Sequence, residues 1–206
     1  MTLGFCDSLV LGAALIVTSA SGLAAEEHDP VTVSHGYSYF GDLKYPADFA
    51  HLDYVNPAAP KGGEISQWSF GTFDSFNPYA RKGNQAALSS IPFETVMTSF
   101  ADDATASYCF LCTTVEYPES LDWAIFTLRD DVRFSDGSAL TAEDVKFSFN
   151  LFMEQGLPSY RAAVSGMVAE IEILSPLQIK FTFTEDAPRR DVIDLAGGIP
   201  VFSKAW

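Results

Sequence analysis

The chain has 206 residues, 48% of them hydrophobic and 14% aromatic, enough to bury a sizeable core in one or two domains. Twenty-seven acidic residues against twelve basic ones give a formal charge of −15, which repels a nucleic-acid backbone, and no basic run offsets it. The acidic pairs Asp102-Asp103, Asp130-Asp131 and Glu185-Asp186 are spread along the chain, as on a well-solvated surface.

At the N-terminus, Leu9 to Val17 is an apolar run of secretory length, too short to span a membrane. The small residues of Gly22-Leu23-Ala24-Ala25 follow it, so residues 1–25 are expected to be a signal peptide cleaved near Ala24 or Ala25. No Lys or Arg precedes the run, and Asp7 stands where positive charge is expected. Cys6 lies before the run and cannot be the lipidated cysteine of a lipoprotein. The expected product is periplasmic, with no stable membrane insertion.

Residues 26–62 hold His35-Gly36-Tyr37-Ser38, Phe40-Gly41-Asp42-Leu43-Lys44-Tyr45-Pro46, Tyr54-Val55-Asn56-Pro57 and Pro60-Lys61-Gly62-Gly63. Prolines and glycines forbid long helices and central strands here, while the aromatics demand burial. An extended arm wrapped over the main domain meets both conditions. Gly63 to Phe70 then predicts a strand, running into the loop Gly71-Thr72-Phe73-Asp74-Ser75-Phe76-Asn77-Pro78-Tyr79. A strand fixes position and a loop exposes polar groups, so this is where a site is favoured. The plainer reading is a turn in which Asp74 and Asn77 bond their own backbone.

Farther on, Leu88, Ile91 and Met97 suggest a helix over residues 84–98, kinked at Pro92. Cys109 and Cys112 follow, open to three readings: packed core cysteines, a local disulfide, or a redox pair. Their context, Tyr108-Cys109-Phe110-Leu111-Cys112, is apolar and lacks the Gly-Pro or Pro-His centre common in redox motifs. Val115 to Tyr117 and Trp123 to Leu128 predict a hairpin across Pro118 to Asp122.

The segment Phe126 to Phe149 carries the most local agreement. A strand ends at Leu128 and Arg129, Asp136-Gly137 makes a tight turn, and Thr141 with Asp144 forms a capping box. The helix it opens is predicted from Ala142 to about Gln155, burying Val145, Phe149 and Phe152 and stopping at Gly156, with Glu143 favourably placed at its positive end. Beyond it, Glu170-Ile171-Glu172-Ile173 alternates and Ser175-Pro176 turns. Leu177, Ile179, Phe181 and Phe183 then share one face of a half-buried antiparallel strand.

Leu-Arg, Phe-x-Asp-Gly, Leu-Thr-Ala-Glu-Asp-Val and Phe-Ser-Phe, together and in order, resemble the signature of the family 5 extracellular solute-binding proteins, the peptide receptors of ABC importers. The arm resembles that of the YejA-like branch, associated with oligopeptides and microcin C. The resemblance implies an α/β fold (α+β, mixed sheet) of the type II periplasmic binding protein clamshell, present here as an N-terminal part of its first lobe. It implies a monomeric binding protein that takes a peptide or peptide-like solute and meets ABC permease and ATPase subunits, with no cofactor and no nucleic acid. By the same analogy Phe73, Asp74, Phe76, Asn77, Tyr79, Arg81, Lys82, Gly83 and Asn84 face the ligand cleft. Arg129, Asp136, Gly137, Thr141, Glu143 and Asp144 are scaffold, and the cysteines fall where the family has small residues of a packed helix.

The resulting division is 1–25 signal, 26–62 arm, 63–84 first strand and cleft loop, 85–196 small α/β subdomain, and 197–206 the start of a return to the first lobe. Family chains are much longer, so this sequence reads as a partial copy. Gly-x-Ser-x-Gly, His-Glu-x-x-His and Gly-x-x-x-x-Gly-Lys are absent, and His28, His35 and His51 lack metal-ligand spacing. The alternatives are a periplasmic thiol-disulfide protein built on Cys109 and Cys112, or a folded remnant that binds nothing.

Overall fold

The computed structural model describes Met1 and residues 29–205; the signal-peptide reading, Cys6 and Trp206 lie outside the described residues. In chain order the elements are β1 (Val31–Ser34), β2 (Gly36–Ser38), β3 (Met97–Phe100), β4 (Asp103–Cys109), β5 (Cys112–Pro118) and β6 (Trp123–Leu128). They continue with α1 (Ala142–Gln155), α2 (Pro158–Val164), β7 (Val168–Ser175), β8 (Gln178–Phe183) and α3 (Val192–Gly197). Two sheets form, a five-stranded one in the order β1-β5-β6-β8-β7 and a three-stranded one in the order β2-β4-β3, and their strand pairs are antiparallel.

Period-two alternation builds the large sheet. Ala124 and Phe126 of β6 register with Phe181 and Ile179 of β8 on the buried face, which Leu128 shares, while Ile125, Thr127, Gln178 and Lys180 point the other way. Helix α1 covers the buried face through Val145 and Phe149, and Phe149 meets Phe181 ring to ring at 5.7 Å. Val192 and Ile193 of α3 join the same core. Each such side chain, fully buried, contributes about 1.5–3 kcal/mol.

Helix α1 starts where its cap predicts. The Thr141 N–H and hydroxyl both donate to the Asp144 carboxylate, at 2.9 and 2.7 Å, within a capping box. It ends at Gly156, whose N–H bonds the Phe152 carbonyl at 3.0 Å, and Pro158 opens α2 in the first turn, where a missing N–H costs nothing.

The N-terminal segment serves both sheets. β1 pairs with β5, and after His35 β2 pairs with β4. Tyr45 and Phe49 then pack on Phe100 and Tyr108 in a second, aromatic core. The arm is locked to the β3–β4 turn by polar contacts. Tyr45 donates its phenol to Asp102 at 2.5 Å, Lys44 pairs with Asp102 at 2.5 Å and with Asp53 at 3.0 Å, and Tyr108 donates to Asp103.

Three expectations are corrected. Residues 63–70 form no strand: no described strand pairs with them, the turn glycines Gly62, Gly63 and Gly71 flank them at φ 97°, 110° and 97°, and Trp68 and Phe70 stand 85% and 94% exposed. Residues 84–98 form no helix. Leu88 sits at φ 62°, outside the helical region, and successive four-residue turns close at Ser89, Ile91 and Phe93 before the chain enters β3. Cys109 and Cys112 are joined in a disulfide with Cα atoms 4.8 Å apart. They occupy the corner between β4 and β5 rather than a packed helix, and Cys112 is 3% exposed.

Candidate ligand-binding site

The loop from Phe73 to Asn84 is folded back on itself. The Asp74 and Ser75 N–H groups both donate to the Asn84 carbonyl, at 3.0 and 3.2 Å, and the Ala86 N–H donates to the Ser75 carbonyl at 2.8 Å. Asp74 Oδ1 accepts the Asn84 N–H at 2.7 Å, and Asn77 Oδ1 accepts the Tyr79 N–H at 2.9 Å. Both polar side chains thus bond the loop's own backbone, as the plainer sequence reading has it. Gly83 lies at φ 90°, and a Cβ there would stand 2.4 Å from Asp74 Oδ1, so the closure requires glycine.

This closure divides the candidate residues. Phe73 and Phe76 pack edge to face at 5.1 Å yet remain 55% and 73% exposed, and Asp74, Lys82, Gly83 and Asn84 stay on the loop's outer rim. Tyr79 turns inward, with its ring 5.2 Å from Phe93, 5.3 Å from Phe152 and 5.6 Å from Phe202. Burial in this cluster raises its phenol pKa. Asn77, Tyr79 and Arg81 then line a hollow of about 340 Å³ whose other wall is Leu151, Phe152, Gln155 and Gly156 of the α1 terminus, with Phe202.

A larger hollow of about 630 Å³ adjoins it and shares Leu151 and Phe202. Phe93, Phe134, Phe147 and Val201 make it apolar, while Glu94, Arg133 and Asp136 supply charge. Together the two make a trough with an aromatic ridge and polar margins, the composition of a site that desolvates an apolar group and orients it with few polar contacts.

Sequence reasoning missed the α1 terminus and Phe202. Phe202 is set by Ser148, fully buried, whose Oγ donates to the Asp144 carbonyl at 2.7 Å and accepts the Phe202 N–H at 2.8 Å. Asp144 does more than cap: its second oxygen accepts the Lys204 N–H at 2.8 Å, and Lys204 pairs with Glu143 at 2.9 Å. The available signal was Ser148 itself, a polar residue four positions after Asp144 on the helix's apolar side. The remaining signature residues shape turns. Arg129 clasps both Asp131 oxygens at 2.9 and 2.7 Å and so lowers that carboxyl's pKa, Asp136 accepts the Ser138 N–H at 2.8 Å, and Gly137 takes φ 89°. Asp136 also lines the larger hollow.

Among the described residues no group of three or more His, Cys, Asp or Glu side chains could hold a metal ion, and no helix is long and apolar enough to cross a membrane.

Residues 114–204 match the description "Bacterial extracellular solute-binding proteins, family 5 Middle". The chain is similar to a protein of Agrobacterium fabrum named "Probable peptide-binding protein YejA", 37% identical over 171 residues, which are 83% of this chain and 27% of that one. A second Agrobacterium fabrum protein, "Peptidoglycan-binding protein YepA", is 34% identical over 178 residues, covering 82% of this chain and 29% of its own length. Among solved structures, the periplasmic binding protein DppA of Helicobacter pylori in complex with the peptide STSA superposes with a TM-score of 0.52 at 19% identity, over 66% of this chain and 29% of that one. The shared fold is that of the type II periplasmic binding proteins, of which this chain spans less than a third of the relatives' length.

Proposed function

We propose that the chain is a non-enzymatic binding protein of the family 5 bacterial extracellular solute-binding proteins, the peptide-capturing component of an ABC importer, a reading supported by the match over residues 114–204 and by the YejA-like relatives. It works in the periplasm behind a cleaved signal peptide, and its partners are the permease and ATPase subunits of that importer. We divide the chain as its sequence suggests, with the arm to residue 62, the cleft loop to 84, the small subdomain to 196 and a further segment after it. The observation that carries the reading is the trough, where Asn77, Tyr79 and Arg81 of the cleft loop meet the α1 terminus and Phe202. Its apolar ridge suits peptide side chains, and its margins offer polar groups to the peptide backbone. Cys109 and Cys112 are bonded to each other at the β4–β5 corner, around a Phe-Leu centre rather than the Gly-Pro or Pro-His centre common in redox motifs, which favours a structural role.

The test is a titration of the labelled chain with a tri- to hexapeptide pool, following backbone amide shifts, with soluble peptidoglycan fragments as a second arm. Saturable shifts centred on residues 77–81, 151–156 and 202, lost in Tyr79→Ala, are expected from the peptides. Shifts from neither arm, or shifts unaffected by Tyr79→Ala, would remove the reading, and shifts from the peptidoglycan arm alone would replace the ligand class. A clamshell desolvates its ligand between two lobes, so the full-length Agrobacterium YejA should bind the pool on the order of a hundredfold more tightly than this chain.

A further inference from the structure

A third hollow lies on the three-stranded sheet and shares no lining residue with the trough. It measures about 330 Å³ and is lined by Tyr39 and Phe40, whose rings meet edge to face at 5.5 Å while remaining 52% and 68% exposed. Arg190, Asp191 and Asp194 at the start of α3, with Ser99 and Ser107 from β3 and β4, line it too.

The charges in it do not cancel. Arg190 is spent on its neighbour, donating to the two Asp191 oxygens at 2.7 and 3.1 Å. Ser107 hydrogen-bonds the Asp194 carboxylate, and among the described residues no Lys or Arg pairs with it. Partial desolvation raises the Asp194 carboxyl pKa, with Asp191 adding to the rise and Ser107 opposing it. The same carboxylates help raise the pKa of the buried Tyr37 phenol, after its own desolvation. An acidic residue in a first helical turn suits the helix dipole, and that alone would explain Asp194. It does not explain two exposed aromatic rings lining the same hollow as the carboxylate in a chain of formal charge −15.

An aromatic wall attracts a cation through the negative faces of its rings, an unpaired carboxylate supplies the counter-charge, and the surrounding field draws positive groups inward. We propose that this hollow is a binding site for an organic cation, a guanidinium or ammonium group such as a basic peptide side chain or a chain-terminal amine carries. Asp194 pairs with the cation, Tyr39 and Phe40 cover its apolar stem, and Ser107 orients the carboxylate. The site stands independently of whether the trough takes peptides.

Amide shifts of the labelled chain test it with three probes: N-acetyl-argininamide, carrying the guanidinium alone; glycinamide, carrying a terminal ammonium alone; and N-acetyl-citrullinamide, a neutral isostere of the first. Saturable shifts at Ser107 and Asp194 are expected from one or both cations and not from the citrulline compound, and which cation is bound names the source. Phe40 is a surface ring, so Phe40→Ala leaves the fold intact. It should weaken binding several-fold, and Asp194→Asn by a similar factor, the scale of one cation–π contact and one part-exposed ion pair. The proposal fails if neither cation gives saturable shifts there, if the citrulline compound binds equally well, or if both variants bind as the wild type does.

Discussion

Asp144 is a single side chain joined to three parts of the molecule. It completes the cap with Thr141, stands one turn before Ser148, and holds the backbone of Lys204. Thr141→Ala should therefore cost roughly 1 kcal/mol, the usual price of a lost cap. Asp144→Ala should cost more, about 2–3 kcal/mol, because it also leaves the part-buried Thr141 and Lys204 N–H groups without their acceptor. In denaturant melts the double variant should fall short of the sum of the two, since the residues share one interaction. Strict additivity would show that Thr141 and Asp144 act independently and would remove the capping box.

Asp102 sets a second expectation at this scale. Hydrogen bonds from Lys44 first and Tyr45 second lower its carboxyl pKa below the ordinary value of 3.8, and the lysine's rises in turn. A carboxylate depressed in the native state adds stability above its unfolded pKa and loses it as pH falls through the native one. The arm should therefore loosen on acidification below about pH 4, read as increased amide exchange at residues 44–53. Asp102→Asn should abolish most of that acid-dependent change. Equal pH dependence in the variant would place the acid sensitivity elsewhere.

At the scale of elements, the four-residue ring closed by Cys109 and Cys112 holds the turn from one sheet into the other. Replacing both cysteines by Ala should lower stability by about 2 kcal/mol, from loop-closure entropy for so short a ring. The peptide-induced shifts of the trough should persist, and their loss would give the disulfide a role beyond the corner. Gly83→Ala should open the 73–84 loop at a cost of about 1–3 kcal/mol, because the new Cβ meets Asp74 at a positive φ. A melting curve with unchanged midpoint would mean the closure contributes nothing.

What was legible in the sequence follows from how local each element is. Helix α1 announces itself through Thr141, Asp144 and Gly156 within sixteen positions, and β6 and β8 through their own alternation. β1, β2 and β4 carry no comparable signal, since Thr32 pairs with Tyr117 and Tyr37 with Ser107, partners far apart in the chain. The expected helix over 84–98 failed because Leu88, Ile91 and Met97 fit a helical period by spacing alone, while Leu88 adopts a positive φ. Within the candidate site the loop was visible as a turn, but its opposite wall depends on Ser148 fixing Phe202, a contact spanning 54 positions. The disulfide stood among the open readings, but choosing it required knowing that β4 and β5 meet at a tight corner.

At the scale of the whole molecule, the two sheets share one N-terminal strap. β1 closes an edge of the large sheet and β2 an edge of the small one, with His35 between them. His35 accepts the Cys109 N–H on its carbonyl at 2.8 Å, so the strap crosses directly over the disulfide corner. The orientation of the sheets therefore rests on this crossing and on the corner itself.

That crossing bears on the order in which the protein is made. The strap leaves the ribosome well before the strands it needs, which follow some seventy to eighty-five residues later, so it must wait unpaired until β4 and β5 have been made. The hairpin of β5 and β6 and the capped helix, whose contacts are local, need no such wait. Through that interval Val31, Val33 and Tyr37 sit on a bare strand next to the segment expected to direct export, and a chain crossing the membrane unfolded would need to keep the strap unpaired until it emerged.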